Sequence, residues 1–351
     1  MSKESTGKPM IVEVDIERPE IDKIRIAAGV IRNGGLVAFP TETVYGLGAD
    51  ALNPEAVAKI FRVKNRPADN PVIVHIADKR EVYKLTRDVP IKARELMDLF
   101  WPGPLTLVLE KSGIVPHITT GGLETVAIRM PDHKVTLAII TESGTPIAAP
   151  SANPAGKPSP TTARHVMKDL GCKVDVILDG GPTRVGVEST VLDLTAHTPT
   201  ILRPGGITAE ELRSVLGSVK IHPAGVKIEV TPSPGMKHKH YAPNAAMIVV
   251  EGNFDVIVRK VQELADEHRR GGKRVGIMAT SESPAYDADV VKITGSRADL
   301  KTIARNLFGI LRGFDEEKVD IIIVEGVDAK GLGLAIMDRL ERAAGHRIVR
   351  V

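Results

Sequence analysis

The chain reads as an α/β protein of two domains: a larger one around a twisted, partly antiparallel sheet, then a smaller doubly wound one around a mainly parallel sheet. Three observations predict this. At 351 residues the chain exceeds what one hydrophobic core usually fills. Up to about residue 216 strand-like runs mix irregularly with helical spacings, whereas from Ala246 strands and helices alternate strictly. Between the two, from Gly217 to Pro243, prolines and glycines recur without a period, as at a domain boundary. The reading therefore sets domains at 11–216 and 244–351, with a linker at 217–243.

The first domain opens with Ile21, Ile24, Ala28 and Ile31 at helical spacing, ended by Gly34 and Gly35. "LVAFP" (36–40) reads as a short buried strand. Asn53–Pro54 sets an N-cap followed by proline at the first helical position, which predicts a helix from about Pro54 to Lys64. "PVIVHI" (71–76), "LTLVLE" (105–110), "TVAIRM" (125–130), "PIAAP" (146–150), "VDVIL" (174–178), "STVLDL" (189–194) and "TILRPG" (200–205) are strand-like. Helical patterns fall near 90–100, 133–142, 161–170 and 208–216. In the second domain "AMIVVEG", "RVGIMAT", 289–293, "VDIIIVEG" and "RIVRV" read as strands, separated by helices at 255–270, 298–313 and 333–343.

Composition narrows the function classes. The start "MSKESTGKPM" is polar and the longest apolar runs, such as Ile321–Val324, are far shorter than a membrane span, so a cytoplasmic protein without membrane contact is expected. Cys172 is the sole cysteine, which excludes an internal disulfide. One glutamine among many Lys, Glu and Arg hints at a warm-living source. The net charge of +3 is localised: residues 1–216 hold 26 basic and 26 acidic side chains, 217–243 hold 4 and 1, and 244–351 hold 17 and 17. A dedicated nucleic-acid binder would show a basic domain or stripe. A phosphate-bearing ligand under the linker explains the local excess equally well.

Several stretches can carry chemistry. "FPTETVYGLGAD" (39–50) packs Thr41, Glu42, Thr43 and Tyr45 after a strand, either as a turn or as a small polar ligand site. "FRVKNRPADNP" (61–71) puts Lys64 and Arg66 on what reads as an exposed turn at a helix C-terminus, suited to the helix dipole or to phosphates. Arg129 in "IRMP" ends a strand among apolar residues, so it bridges to a core acid or meets a ligand carboxylate. "APSANPAGKPSPTTA" (149–163) offers hydroxyls and amides to an anion. "GVESTVLDL" and "LRPGGIT" add Ser189 and Arg203. Neither a G-x-S-x-G elbow nor a G-x-x-x-x-G-K-[ST] loop nor H-E-x-x-H occurs. The G-x-G of "KGLGLA" (330–335) precedes the last helix and reads as tight packing. The linker's "KHKHYAP" (237–243) holds His238 and His240, which without further convergent ligands make a poor metal site.

In this order, "FPTETVYGLGAD", "KNRPADNP", "IRMP", "APSANPAGKPSPT", "GVESTV", "LRPG" and "HKHYAP" resemble the YrdC/Sua5 family in its long form, over about residues 11–351. The resemblance implies a YrdC-like catalytic domain with a twisted mixed sheet, followed by a Rossmann-like Sua5 domain. It also implies a nucleotidyltransferase: L-threonine, bicarbonate and ATP give threonylcarbamoyl-adenylate and pyrophosphate, supplying the t6A modification of tRNA through a separate downstream complex. Because the nucleophile is the substrate's own carbamate, no covalent enzyme intermediate is expected. The motifs assign Thr43, His75, Arg129, Ala149 and Ser189 to threonine, and Lys64, Arg66, Asn70, Thr125, Ser151, Asn153, Ser159, Arg203 and Tyr241 to ATP. They make "KHKHYAP" part of an active-site lid, with Lys237, His238 and Lys239 near the phosphates. Mg2+ is expected with the triphosphate, its ligands unassigned. An RNA-binding module is the alternative; the charge balance of residues 1–216 argues against it.

Overall fold

A computed structural model describes residues 8–222 and 241–351. The expectations for Lys237, His238 and Lys239, and for most of the linker, lie outside the described residues. The chain divides into two compact units. The first holds residues 8–155, 159–184 and 188–222, and the second holds 156–158, 185–187 and 241–351. No helix among the described residues is long and apolar enough to cross a membrane.

The first unit opens with β1 (Met10–Glu13), α1 (Ile21–Arg32), β2 (Val37–Phe39) and β3 (Gly46–Asp50). There follow α2 (Pro54–Lys64), β4 (Ile73–His75), α3 (Val82–Leu85), α4 (Ile91–Phe100), β5 (Leu105–Glu110) and β6 (Thr125–Arg129). Then come α5 (Lys134–Ser143), β7 (Ile147–Ala148), α6 (Ala163–Asp169) and β8 (Val176–Asp179). The unit closes with β9 (Thr190–Asp193), β10 (Thr200–Arg203), α7 (Ala209–Leu216) and β11 (Lys220–Ile221).

Local chemistry sets the helix bounds. In α1 the buried residues Ile24, Ala27, Ala28 and Ile31 follow the i, i+3, i+4, i+7 rule of a single apolar stripe. Full burial of Ile24 and Ile31 is worth about 1.5–3 kcal/mol each. Helix α2 begins where the Asn53 side chain accepts from the Glu55 and Ala56 amides, and ends at Asn65 in the left-handed region, φ 50°. A reciprocal capping box, Thr208 with Glu211, starts α7.

The strands form one 11-stranded sheet in the order β1-β8-β2-β3-β7-β4-β6-β5-β9-β10-β11, with parallel and antiparallel neighbours mixed. Three strands go beyond the expected set: β1, β3 and β11, the last lying in the stretch read as linker and pairing in parallel with β10. β1 pairs in parallel with β8 at the sheet edge. β3 occupies part of the stretch read as a turn: its two glycines lie in a strand clamped between β2 and β7, and the Phe39 ring fills the space where a Gly48 side chain would stand.

Alternation along the central strands sorts the sheet into two faces. Val74, Val126, Ile128, Leu105, Leu107, Leu109, Leu192 and Ile201 join the large helix-covered core. Ile73, Val108, Ala127, Val191 and Leu202 form a small separate cluster on the other face.

The second unit carries a five-stranded sheet built of β12 (Ala246–Glu251), β13 (Val275–Ala279), β14 (Val290–Ile293), β15 (Ile321–Glu325) and β16 (Ile348–Arg350). Its order is β14-β13-β15-β12-β16 and every pairing is parallel. Helix α8 (Phe254–Arg270) buries Ile257, Val261, Leu264 and Ala265 against Val275, Ile277, Ile321 and Ile323 on one face. On the other, α9 (Leu300–Glu317) brings Phe314 onto Gly276 and packs beside α10 (Leu332–Ala343). Helices on both faces of a parallel sheet make this unit doubly wound, as the alternation predicts. In "KGLGLA" the packing reading fits Gly333, where a Cβ would collide with the Asp328 carbonyl.

Candidate functional site

The small apolar face of the first unit carries four of the expected site residues: His75, Thr125, Arg129 and Ser189. His75 closes β4 and Arg129 closes β6, and the two stand opposite one another in the parallel register. By alternation they share the face of Ile73 and Ala127, and so does Thr125 at the start of β6. Four residues at about 3.3 Å each put Thr125 roughly 13 Å from Arg129, so the two mark opposite ends of one elongated surface. Ser189, two residues before Val191, projects to the same side at the entry of β9.

Arg129 is buried and bound on several sides. Its Nε donates to the Gly103 carbonyl at 3.2 Å, its Nη1 to Thr43 Oγ1 at 3.1 Å, and its Nη2 lies 2.6 Å from Glu42 Oε2. The last contact is an ion pair without an in-line hydrogen bond: among the described residues neither Nη2 nor either Glu42 oxygen has a hydrogen-bonding partner. Of the two fates the sequence allows for Arg129, the structure shows the bridge to a core acid, Glu42. Thr43 is fixed through its hydroxyl contact with Thr41, 2.8 Å away.

His75 is fully enclosed. Burial, and then the neighbouring Arg129 charge, lower its pKa to about 3, so the ring is neutral at ordinary pH. Its Nδ1 has no partner among the described residues. His133, just beyond the same arginine, is lowered to about 4, chiefly by burial, with the Glu42 charge opposing. The backbone amide of Ala149 donates to the Ile73 carbonyl, holding the start of the 149–163 loop against β4.

Ser189 is held from two sides. Its hydroxyl lies 2.7 Å from Thr106 Oγ1, and Arg203 donates to its carbonyl at 3.0 and 3.2 Å and to its hydroxyl at 3.2 Å. This requires the following loop to pass close by: a Cβ on Gly205 would overlap the Ser189–Thr190 peptide. Next to it Glu188 accepts from Ser159 at 2.6 Å.

The expectation of an exposed turn at Lys64 and Arg66 is corrected: both are buried, 2% and 9% exposed. Lys64 Nζ donates to the carbonyls of Ser151 and Asn153, with the Ala155 amide returning to the Lys64 carbonyl. Burial, reinforced by Arg66, lowers the lysine's pKa well below its ordinary value. Arg66 reaches the Asn70 carbonyl at 3.1 Å, Asn70 Oδ1 at 2.6 Å and the Pro71 carbonyl at 2.8 Å, closing the 66–71 turn. Gly121, on the segment leading to Thr125, sits against the backbone of Asp69 and Pro71. Ser151 bridges to Gly46. Lys64, Arg66, Asn70, Ser151 and Asn153 thus belong to one meshwork of loops.

Tyr241 belongs to the second unit. It has φ 63°, is buried, and its ring lies 5.3 Å from that of Phe308 with the Arg339 guanidinium 5.3 Å from its centre. Among the described residues no group of three or more His, Cys, Asp or Glu converges as a metal site. Sequence reasoning gives no role to Glu42 or His133; Glu42 is a titratable side chain inside the motif that supplies Thr43, and His133 lies two residues beyond the motif that supplies Arg129.

Together the sheet face and its loops make a candidate site of buried cations, hydroxyls and amides on an α/β domain, joined in one chain to a parallel-sheet domain. A family model, Sua5–YciO–YrdC, described as telomere recombination, matches residues 29–205, and the model for the C-terminal domain of threonylcarbamoyl-AMP synthase matches 207–345. The threonylcarbamoyl-AMP synthase of Pyrococcus abyssi is 55% identical over 95% of this chain and 98% of its own length, and that of Bacillus subtilis 51% over 96% of each. A crystal structure of P. abyssi Sua5 complexed with L-threonine superposes with a TM-score of 0.94 at 54% identity, over 97% of this chain and 99% of that one. The chain belongs to the Sua5–YciO–YrdC family.

Proposed function

We infer that the protein is a threonylcarbamoyl-AMP synthase, a nucleotidyltransferase that joins L-threonine, bicarbonate and ATP into threonylcarbamoyl-adenylate and pyrophosphate. Near full-length kinship to relatives of that name supports the reading. The observation that carries it is the buried Arg129 with neutral His75 beside it in register on an apolar sheet face. A guanidinium there suits a carboxylate, and a neutral imidazole can exchange a hydrogen bond with a substrate hydroxyl without repelling the arginine.

Thr43, His75, Arg129, Ala149 and Ser189 would hold threonine. Lys64, Arg66, Asn70, Thr125, Ser151, Asn153, Ser159 and Arg203 would hold the nucleotide along the same surface, and Tyr241 would be a further ATP contact from the end of the 217–243 linker. The amine adds to bicarbonate with loss of water to give a carbamate. A carbamate oxygen then bonds to the α-phosphorus as the bond to the departing pyrophosphate breaks. The protein's part is orientation and charge: holding two reactants in line supplies up to about 7–11 kcal/mol, and fixed cations offset charge on the phosphates. Mg2+ would enter with ATP as the phosphates' counter-ion, held mainly by phosphate oxygens and water. The product would pass to a downstream complex that modifies tRNA, in the cytoplasm.

The test is pyrophosphate release by purified protein under warm conditions. It should require threonine, bicarbonate and ATP together. ATP turnover without threonine, or none at all, would reject the assignment.

A further inference from the structure

The Glu42 carboxylate has no part in the chemistry above, yet it is one of the most enclosed charges in the first unit. It is 2% exposed, touches Arg129 Nη2 at 2.6 Å, and among the described residues neither of its oxygens accepts a hydrogen bond. Arg129 mirrors it: Nε and Nη1 are committed to Gly103 and Thr43, whereas Nη2 aims no N–H at an acceptor. The two groups are paired in charge, yet the hydrogen-bonding capacity of both is unused. A lone anion bound to Nη2 would be repelled by Glu42, and a lone cation at Glu42 would be repelled by Arg129. A ligand bearing both charges on adjacent atoms satisfies both, and an α-amino acid zwitterion carries ammonium and carboxylate on one carbon.

We propose that Glu42 is the partner of the substrate's amino group, so that Glu42 and Arg129 together read the free α-amino acid. The proposal rests on the reading of Arg129 as the carboxylate holder and adds the other half of the recognition. It makes the site selective for an amino acid with an unmodified amine over a hydroxy acid of the same shape. After carbamate formation one N–H remains on the nitrogen, and Glu42 keeps it in place.

Calorimetric titration of the intact protein tests this with three probes: L-threonine, 3-hydroxybutanoate, which lacks the amine, and L-threoninol, which lacks the carboxylate. Wild type should prefer threonine to 3-hydroxybutanoate by at least about tenfold, the worth of one hydrogen bond to a charged group. Glu42→Gln should lose that preference, binding threonine more weakly and 3-hydroxybutanoate more tightly than wild type, because the repulsion of a lone anion at Arg129 is gone. If Glu42→Gln binds threonine as well as or better than wild type, Glu42 is only a counter-ion that substrate displaces, and the proposal fails. Should the variant not fold, wild type decides alone: equal binding of threonine and 3-hydroxybutanoate overturns the idea. Arg129→Gln separates the premise, because retention of the preference for threonine over threoninol without the cation would sink the reading of Arg129 and leave the wild-type Glu42 measurement standing.

Discussion

Acidification from pH 7.5 to 5.0 should weaken the first unit by roughly 4 kcal/mol, through two histidines held neutral by burial. His75 and His133 have folded pKa values of about 3 and about 4, against roughly 6.5 for an unfolded chain. The sign follows from proton counting. Between pH 6.5 and the folded values the unfolded chain binds the protons and the native one does not, so stability is complete above 6.5 and falls as pH drops towards 4 and then 3. At pH 5.0 each histidine contributes a loss of about 2 kcal/mol, a large share of the roughly 5–15 kcal/mol that stabilises a typical domain. Trp101, the chain's single tryptophan, is buried in this unit with its indole N–H on the Leu105 carbonyl at 2.7 Å. Its emission therefore reports urea unfolding of the first unit specifically. The midpoint should fall steadily over this window, and His75→Gln should remove about half of the fall. A midpoint that holds or rises on acidification would refute the reasoning, because buried neutral imidazoles can only resist protonation.

Three further outcomes follow from the same geometry. Lys64→Met strips the ammonium from the Ser151 and Asn153 carbonyls; it should destabilise the unit by about 2–4 kcal/mol in urea titrations and raise the KM for ATP by at least tenfold, one hydrogen bond to charge. Gly205→Ala places a methyl into the Ser189–Thr190 peptide, so pyrophosphate release should drop about a hundredfold even where far-ultraviolet dichroism is unchanged. Tyr241→Ala should raise the apparent KM for ATP or increase breakdown of the adenylate, and unaltered kinetics would remove Tyr241 from the nucleotide contacts.

What the sequence makes legible is local. Helix α2 is readable because its cap and first-turn proline are adjacent in the chain; its end at the left-handed Asn65 is not among the signals read from the sequence. The second unit is readable because buried parallel strands are continuous apolar runs separated by amphipathic helices. β3 is hidden because "GLGAD" lacks branched residues and owes its extended form to pairing with β2 and β7. The environment of Lys64 is hidden for a related reason. A lysine in a last helical turn ordinarily faces solvent, and its partner Ser151 stands 87 residues away, beyond any local pattern. The pairing of Glu42 with Arg129 is equally remote in sequence, so the motifs name the participants without naming who faces whom.

The enclosure of Lys64 also makes its amine a chemical clock. Surface lysines meet an acylating reagent at once, whereas this nitrogen is shielded for as long as the 151–155 loop lies over it. Its labelling rate therefore reports, averaged over the population, how often that loop lifts, and comparing the rate with and without nucleotide tests whether ATP holds the loop down.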